Sequence, residues 1–243
     1  MIVFVHGVPE TASIWDGVRD VISRESVALS LPGFGCLRPD NFSATKDDYV
    51  DWLVTEIDRI DEPVDLVGHD WGAGLTYRVA TAHADKLHSW AADIANICHP
   101  DYVWHDFAKL WQTPGDGETF FESQNALPPE DRAPIFESMG VPHDDALEMA
   151  SASDATMAAC ILDLYRSATP NVHHHWGPWS PTSVPGLVLH PTDDPFGEEA
   201  MAAEVARSLG ARFEPIPGAG HWWPYQTPAK AALILEEFWN SIA

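Results

Sequence analysis

Short apolar stretches alternate with amphipathic segments in the first hundred and the last sixty residues of the chain. Six stretches are apolar and too short to be helices, which is typical of buried strands. They lie at residues 2–5, 27–31, 64–67, 87–94, 186–190 and 213–216. Thr45 with Asp48 forms a capping-box pattern, which predicts the start of a helix that runs to residue 57. Strands that alternate with helices predict an α/β fold with a doubly wound, mainly parallel sheet.

The alternation stops between about residues 98 and 184, where no further apolar strand occurs. Helical spacing there predicts helices at residues 102–112, 118–125, 129–138, 144–150 and 154–167. Proline and glycine separate these helices. We therefore expect a core made of residues 1–97 and 185–243, interrupted by a helical cap at residues 98–184.

An apolar strand, a sharp turn and a helix are predicted around Asp70. The strand ends at Gly68, Asp70 stands between Gly68 and Gly72, and a helical apolar stripe follows. A strained elbow needs small residues on both sides of its apex because the strand and the helix nearly touch. A carboxylate at the head of a helix can attack a saturated carbon and form an ester. From this stretch alone, a solvated Asp that caps the helix is the competing interpretation.

Two further ionisable groups follow later strands, in the order Asp194 and then His221. An order of nucleophile, acid and histidine is typical of one catalytic arrangement in α/β enzymes, in which the acid orients the base. Asp194 is favoured over its neighbour Asp193 because of its position before the next helix. Each residue alone is more commonly structural, but the three together in this order favour catalysis.

Composition excludes several classes of partner. The 243 residues contain 13 Lys and Arg against 37 Asp and Glu, a formal charge of −24, which repels nucleic acid and anionic membranes. No apolar run approaches the length of a membrane span, and the amino terminus lacks a basic leader pattern. The three cysteines are odd in number and form no CxxC pair, so a reduced, cytoplasmic protein with cysteines in the core is expected.

Metal and cofactor patterns are weak. Residues 173–175 are three consecutive histidines, but adjacent side chains point in different directions and no Cys or carboxylate stands at ligand spacing. No phosphate-binding loop and no dinucleotide fingerprint occurs in the sequence. We therefore expect neither a metal nor a cofactor, and no nucleic-acid partner.

Four motifs together resemble a known superfamily. They are His6-Gly7-Val8-Pro9, Leu31-Pro32-Gly33-Phe34-Gly35, Gly68-His69-Asp70-Trp71-Gly72 and Gly218-Ala219-Gly220-His221. The chain is similar along nearly its whole length to the α/β-hydrolase superfamily, and specifically to its aspartate-nucleophile branch of epoxide hydrolases and haloalkane dehalogenases. Because the chain starts directly at the strand before His6, the first hairpin of the family is expected to be missing or shortened.

The resemblance implies a two-step reaction without a cofactor. Asp70 attacks a saturated carbon, and His221, oriented by Asp194, then activates water against the resulting ester. The backbone N–H groups of Val8 and Trp71 are implied as the oxyanion donors.

Epoxide opening also needs an acid that protonates the leaving alkoxide. Asp163-Leu164-Tyr165-Arg166 resembles the family segment that supplies a phenol, which implies Tyr165. The position of a second family tyrosine falls on Phe107, which cannot donate. Tyr102, His105 or Trp111 could replace it, or Tyr165 could act alone. A core position with its hydroxyl at the rim is the competing interpretation of Tyr165.

Three functional alternatives remain at this stage. The first is epoxide hydrolysis of a small apolar or aromatic substrate, since Trp104, Phe107 and Trp111 are part of an aromatic cluster. The second is haloalkane dehalogenation, in which Trp71 and a cap tryptophan, Trp104 or Trp111, would bind the halide. The third is a ligand-binding homologue with slow or no turnover. Oligomeric state, monomer or homodimer, does not follow from the sequence.

Overall fold

A computed structural model describes residues 1–172, 175, 176 and 179–242, and a six-stranded sheet forms its centre. The strands are β1 (Ile2–Val5), β2 (Ser26–Leu29), β3 (Val64–Gly68), β4 (Leu87–Ala92), β5 (Gly186–Pro191) and β6 (Arg212–Ile216). They lie in the order β2-β1-β3-β4-β5-β6, and each of these neighbouring pairs is parallel. The predicted α/β class and doubly wound parallel sheet are confirmed.

Helices surround the sheet and follow its strands. In chain order they are α1 (Asp16–Arg19), α2 (Lys46–Ile57), α3 (Trp71–Ala82), α4 (Asp106–Gln112), α5 (Asp116–Asn125), α6 (Pro129–Ser138), α7 (His143–Ala152), α8 (Ala155–Ser167), α9 (Glu199–Leu209), α10 (Trp223–Gln226) and α11 (Pro228–Ile242). The predicted capping box is present at α2, where Thr45 and Asp48 each accept a hydrogen bond from the other's backbone N–H. None of the helices in the described residues is long and apolar enough to cross a lipid bilayer.

Helices α4 to α8 all lie between β4 and β5, in the segment predicted to be helical. We call residues 98–184 the helical insertion. Its last helix, α8, contacts the rest of the protein through an ion pair of 2.9 Å between Asp163 and Arg38 and through Ser167, which accepts a hydrogen bond of 2.8 Å from the backbone of Lys46. Burial of Ile161, Leu164 and Tyr165 on this helix continues the core of the sheet into the insertion.

The register of the sheet places the loops of interest side by side. Val5 of β1 lies opposite Gly68 of β3, so the loops that follow these two strands leave the sheet together. Gly68 is also paired with Ala92 of β4. On the other half of the sheet, Pro191 is paired with Ile216, which brings together the loops after β5 and β6. Ligands of open parallel sheets bind at this carboxyl edge.

Two predicted elements begin or end at other residues in the structure. The helix predicted from residue 102 begins only at Asp106, because the imidazole of His105 accepts a hydrogen bond from the N–H of Ala108 and caps the helix. The strand predicted to reach residue 94 ends at Ala92, and Ile94 has a positive φ of 46°.

The cysteine prediction is partly wrong. Cys98 and Cys160 are buried, as expected for core residues, but Cys36 is exposed in the loop after β2, and all three are free thiols. Of the three consecutive histidines, His173 and His174 lie outside the described residues.

Candidate active site

Asp70 occupies a strained turn between β3 and α3. Its φ of 51° and ψ of −119° lie in a region that residues with a side chain rarely adopt. The flanking glycines make this turn possible. A Cβ atom on Gly68 would lie 2.2 Å from the carbonyl oxygen of Gly72, and one on Gly72 would lie 2.2 Å from that of Val5. The contact between strand and helix therefore leaves no space for a side chain at either position.

The carboxylate of Asp70 is held from the loop after β1. Its Oδ1 accepts a hydrogen bond of 2.9 Å from the backbone N–H of Val8. Trp71 is the first residue of α3, and N–H groups in the first turn of a helix have no partner within the helix. Burial raises the pKa of Asp70 to about 6 against the opposing charge of His221. The structure thus brings together Val8, Asp70 and Trp71, as the sequence predicted.

His221 lies between two carboxylates, as an imidazole that relays a proton requires. Its Nδ1 is 3.0 Å from Oδ2 of Asp194, and its Nε2 is 3.9 Å from Oδ2 of Asp70. Burial lowers the pKa of His221, but the charge and hydrogen bond of Asp194 raise it by more, so the net shift is upward.

Asp194 is fixed in turn by a hydrogen bond of 2.8 Å from the N–H of Phe196 to its other oxygen. Burial raises the pKa of Asp194, but the charge of His221 and these hydrogen bonds lower it by more, so the carboxylate stays ionised. The neighbouring Asp193 is exposed, and its carboxylate accepts instead from the hydroxyl of Thr192. Asp194 therefore has the position of the orienting acid.

A second buried set of charges lies behind the elbow, and no role for it was predicted from the sequence. Its members are Glu10, His69 and Asp93, all fully buried. Nδ1 of His69 lies 2.5 Å from Asp93, and Nε2 lies 3.2 Å from Glu10. Burial lowers the pKa of His69, but the two carboxylates raise it by more, to well above its ordinary value, which favours the imidazolium form.

This buried network also holds the backbone of the candidate site. Oδ1 of Asp93 accepts a hydrogen bond of 3.0 Å from the N–H of Asp70, and Glu10 accepts one of 2.9 Å from the N–H of Gly7. Burial raises the pKa of Glu10, but the charge of His69 lowers it by more, to about 2. His69 belongs to the motif that contains Asp70, and Glu10 directly follows the motif that ends at Pro9. These two positions were the signal in the sequence that could have identified both residues.

Ligand atoms of Glu10, His69 and His221 all lie within 4.8 Å of one another. Most of these atoms already have hydrogen-bond partners. The indole of Trp222 donates to Glu10 at 2.7 Å, and Nδ1 of His221 contacts Asp194. The donor set fits a hydrogen-bonded ion network better than a metal site. The expectation that no metal takes part stays a prediction.

Tyr165 of α8 reaches the Asp70 turn across an aromatic contact. Its phenol ring meets the indole of Trp71 edge-on, with ring centroids 5.3 Å apart. Burial raises the pKa of Tyr165 well above its ordinary value, and the charge of Asp70 raises it further. The phenol therefore keeps its proton at neutral pH, and a phenol O–H can donate that proton.

The remaining predicted residues of the insertion line the same pocket above Asp70. This set consists of Tyr102, Trp104, Phe107 and Trp111, and Tyr165 and His221 line the pocket as well. Burial raises the pKa of Tyr102, and the charge of Asp70 raises it further, so its phenol keeps its proton. Phe107 is half-exposed and stacks on Trp111 with ring centroids 5.9 Å apart.

Two tryptophans were predicted as alternative halide donors, and their indole N–H groups differ. That of Trp104 donates to the carbonyl oxygen of Ala168 at 3.1 Å, which corrects its suggested role as a donor to a ligand. That of Trp111 is buried without a partner among the described residues. His105 was a further candidate donor. Its Nδ1 accepts from Ala108 and caps α4, and burial lowers its pKa to about 4, so the ring is neutral and its remaining donor is Nε2–H.

Comparison with known proteins agrees with this fold and this arrangement. Residues 2–232 match the model of the alpha/beta hydrolase family, so the chain belongs to that family. The resemblance noted from the motifs is thereby confirmed at the level of the superfamily. Membership of a family of hydrolases supports the expectation that the protein is an enzyme.

Individual relatives are more distant. The chain is 27% identical over 267 residues to epoxide hydrolase 3 of Xenopus tropicalis, covering 98% of this chain and 71% of the relative. It is 26% identical over 217 residues to (E)-2-((N-methylformamido)methylene)succinate hydrolase of Acinetobacter baylyi, covering 84% and 76%. Among solved structures, haloalkane dehalogenase DbeA from Bradyrhizobium elkani has a TM-score of 0.75 at 19% identity, covering 99% of this chain and 91% of the other.

Proposed function

We propose that the protein hydrolyses an epoxide to a diol through a covalent ester on Asp70. The observation that carries this proposal is the position of the Tyr165 phenol, which lines the pocket of Asp70 and which its raised pKa keeps protonated. A halide leaves as a stable anion, whereas an epoxide oxygen leaves as an alkoxide that needs a proton. A protonated phenol above the nucleophile meets that need. The similarity to an epoxide hydrolase supports the same activity.

In the first step, Oδ2 of Asp70 attacks one ring carbon while Oδ1 stays on the Val8 N–H. The carbon–oxygen bond of the ring breaks, and the ring oxygen takes the proton of Tyr165. Tyr102 is the second phenol that lines the pocket of Asp70, and its own raised pKa keeps it protonated. We therefore assign to Tyr102 the supporting donor role that Phe107 cannot fill.

In the second step, His221 removes a proton from water, and the hydroxide attacks the carbonyl carbon of the Asp70 ester. Asp194 stabilises the imidazolium that forms. The N–H groups of Val8 and Trp71 stabilise the tetrahedral oxyanion, and a single donor of this kind contributes about 3 kcal/mol in related chemistry. The ester bond then breaks, and the released oxygen of the diol takes the proton of the carboxyl group that forms. The proton held by the His221 imidazolium restores the Tyr165 phenol, so Asp70, His221 and Tyr165 return to their starting states.

The helical insertion acts in this proposal as a cap on the core formed by residues 1–97 and 185–243. It supplies both phenols, and its aromatic side chains line the pocket. Such a lining favours a small apolar or aromatic substrate. A cytoplasmic location, and a monomer or homodimer, stay predictions.

Haloalkane dehalogenation is the second candidate, and the unpartnered indole N–H of Trp111 in the pocket favours it. Against it, the N–H of Trp104 donates to the carbonyl oxygen of Ala168 and is not available to a halide. A non-enzymatic ligand-binding role is the third, but binding alone needs neither a base nor an acid that orients it.

The test is a parallel turnover assay with styrene oxide and 1-bromobutane. It compares the wild type with Asp70→Ala, Tyr165→Phe and Tyr102→Phe. We expect diol formation that disappears in Asp70→Ala, falls by about 100-fold or more in Tyr165→Phe and falls less in Tyr102→Phe. Bromide release that persists in Tyr165→Phe, without diol from any epoxide, would establish the dehalogenase instead. No turnover of either class would support the binding role.

A further inference from the structure

The pocket above Asp70 has one cationic side chain in a lining that is otherwise mostly apolar. Arg132 of α6 lines it, together with Gln124 of α5 and Ser153, which follows α7. Arg132 belongs to neither the candidate catalytic set nor the residues predicted from sequence. Its presence in an aromatic pocket, in a chain with 37 acidic and 13 basic residues, calls for a physical explanation.

The guanidinium of Arg132 is oriented by only one of its nitrogens. Nη1 donates to the side chain of Asn125 at 3.1 Å and to the carbonyl oxygen of Ser153 at 2.9 Å. Nε is buried and has no acceptor among the described residues, and Nη2 donates to none of them either. Among the residues that the structure describes, no carboxylate oxygen lies within 4 Å of this guanidinium.

Nη2 is the donor of this guanidinium that a ligand can reach. Unlike Nε, it is not buried, and it has no acceptor among the described residues. A charged N–H donor forms its strongest hydrogen bonds with a carboxylate. Since Asn125 and Ser153 hold Nη1, the guanidinium is pre-oriented for a ligand that enters the pocket.

We propose that Arg132 binds a carboxylate of the substrate. The preferred substrates are then epoxides with an apolar or aromatic body and a carboxylate remote from the ring. The identity of the reacting group rests on the proposed function, whereas carboxylate recognition does not. The negative surface of the protein repels anions in general, so a local cation inside the pocket gives selectivity for anions that also fit its apolar walls.

The first experiment compares substrates that differ only in the remote group. The pairs are 10,11-epoxyundecanoate with 10,11-epoxyundecan-1-ol, and 5,6-epoxyhexanoate with 5,6-epoxyhexan-1-ol, so that two spacings are sampled. We expect the wild type to prefer one carboxylate over its alcohol by about 10- to 100-fold in kcat/KM. In Arg132→Met that preference disappears through a higher KM, while kcat and alcohol turnover stay within twofold.

Two further variants separate charge from geometry. Arg132→Lys keeps the charge and loses the planar guanidinium that Asn125 and Ser153 orient, so we expect a partial loss of carboxylate preference. Arg207→Met changes the net charge by the same amount at an exposed position on α9, and no change in preference is expected. Equal losses on acid and alcohol in Arg132→Met, or no acid preference in the wild type, would overturn the proposal.

The second experiment measures binding without turnover. Titration calorimetry with octanoate and 1-octanol compares the wild type with Arg132→Met. Octanoate binding that weakens about 10-fold or more in the variant, with unchanged 1-octanol binding, supports the carboxylate site even if no epoxide is ever opened. Epoxide turnover that does not depend on Arg132, together with octanoate binding that Arg132→Met leaves unchanged, would refute this inference and leave the proposed function standing.

Discussion

Oδ1 of Asp93 accepts a hydrogen bond of 3.0 Å from the backbone N–H of Asp70, so one carboxylate anchors the strained backbone that carries the other. The second oxygen of Asp93 is equally occupied, since it accepts from the indole of Trp223 at 2.5 Å and contacts His69. Three elements thus meet at one buried side chain: β4, the elbow and α10. The position of the candidate nucleophile depends on this buried network as well as on the elbow glycines.

The substitution Asp93→Asn should destabilise the protein. The amide would keep an acceptor for the Asp70 N–H but would place a donor where Trp223 and His69 need an acceptor. We expect the free energy of unfolding, measured by urea denaturation, to fall by about 3 kcal/mol. Asp163→Asn, at the half-exposed ion pair with Arg38, is the control and should cost less than about 1 kcal/mol. Equal losses in the two variants would contradict a special role of the buried network.

The pH dependence of turnover should follow two groups of the site. Burial raises the pKa of Asp70 to about 6, so the nucleophile becomes protonated and inactive below that pH. His221 must be neutral to accept a proton from water, and its raised pKa shifts this requirement to higher pH. Tyr165 stays protonated throughout because its pKa is raised.

We therefore expect kcat for styrene oxide to rise between about pH 5 and pH 9 without a descending limb in that range. Asp70→Ala provides the blank for spontaneous ring opening. A flat profile over the same range would be inconsistent with both assignments.

Replacement of His221 by Gln should trap the proposed ester. The first step needs Asp70 and Tyr165, whereas water attack needs the imidazole, so the variant should stop after the first step. Intact-protein mass spectrometry after incubation with styrene oxide should show an increase equal to the full mass of the epoxide. The same experiment with 1-bromobutane tests haloalkane dehalogenation, because an alkyl ester on Asp70 adds the mass of the substrate less that of hydrogen bromide. An unchanged mass with both reagents would argue against a covalent intermediate on Asp70.

The close approach of β1 and α3 predicts opposite outcomes for two glycines of the same helix. A Cβ on Gly72 would lie 2.2 Å from the carbonyl oxygen of Val5, which is backbone and cannot turn aside. We expect Gly72→Ala to lower the free energy of unfolding by about 3 kcal/mol.

Gly74→Ala is the matched control. Its Cβ would meet the end of the Ile97 side chain at 3.3 Å and the Trp71 ring at 3.9 Å, and alanine favours a helix by up to about 1 kcal/mol. Thermal unfolding of both variants measures the difference. A Gly72→Ala protein as stable as Gly74→Ala would show that the elbow tolerates a side chain.

Local patterns determined much of the fold and the centre of the site. The apolar run of β1, the Thr45–Asp48 capping box and the glycines around Asp70 each depend on interactions between residues close in the chain. Their chemistry is therefore visible in a few consecutive letters. The order of Asp70, Asp194 and His221 was also readable, because each follows a strand of one parallel sheet and such loops meet at one edge.

Tertiary packing alone decided the rest. Glu10, His69 and Asp93 follow three different strands, and only the register of the sheet makes them one ionised network. The helical insertion likewise placed Arg132 in the pocket, bonded the Trp104 indole to Ala168 and left the Trp111 indole without a partner among the described residues. These facts depend on how helices pack against one another, and the spacing of residues within each helix does not specify that packing.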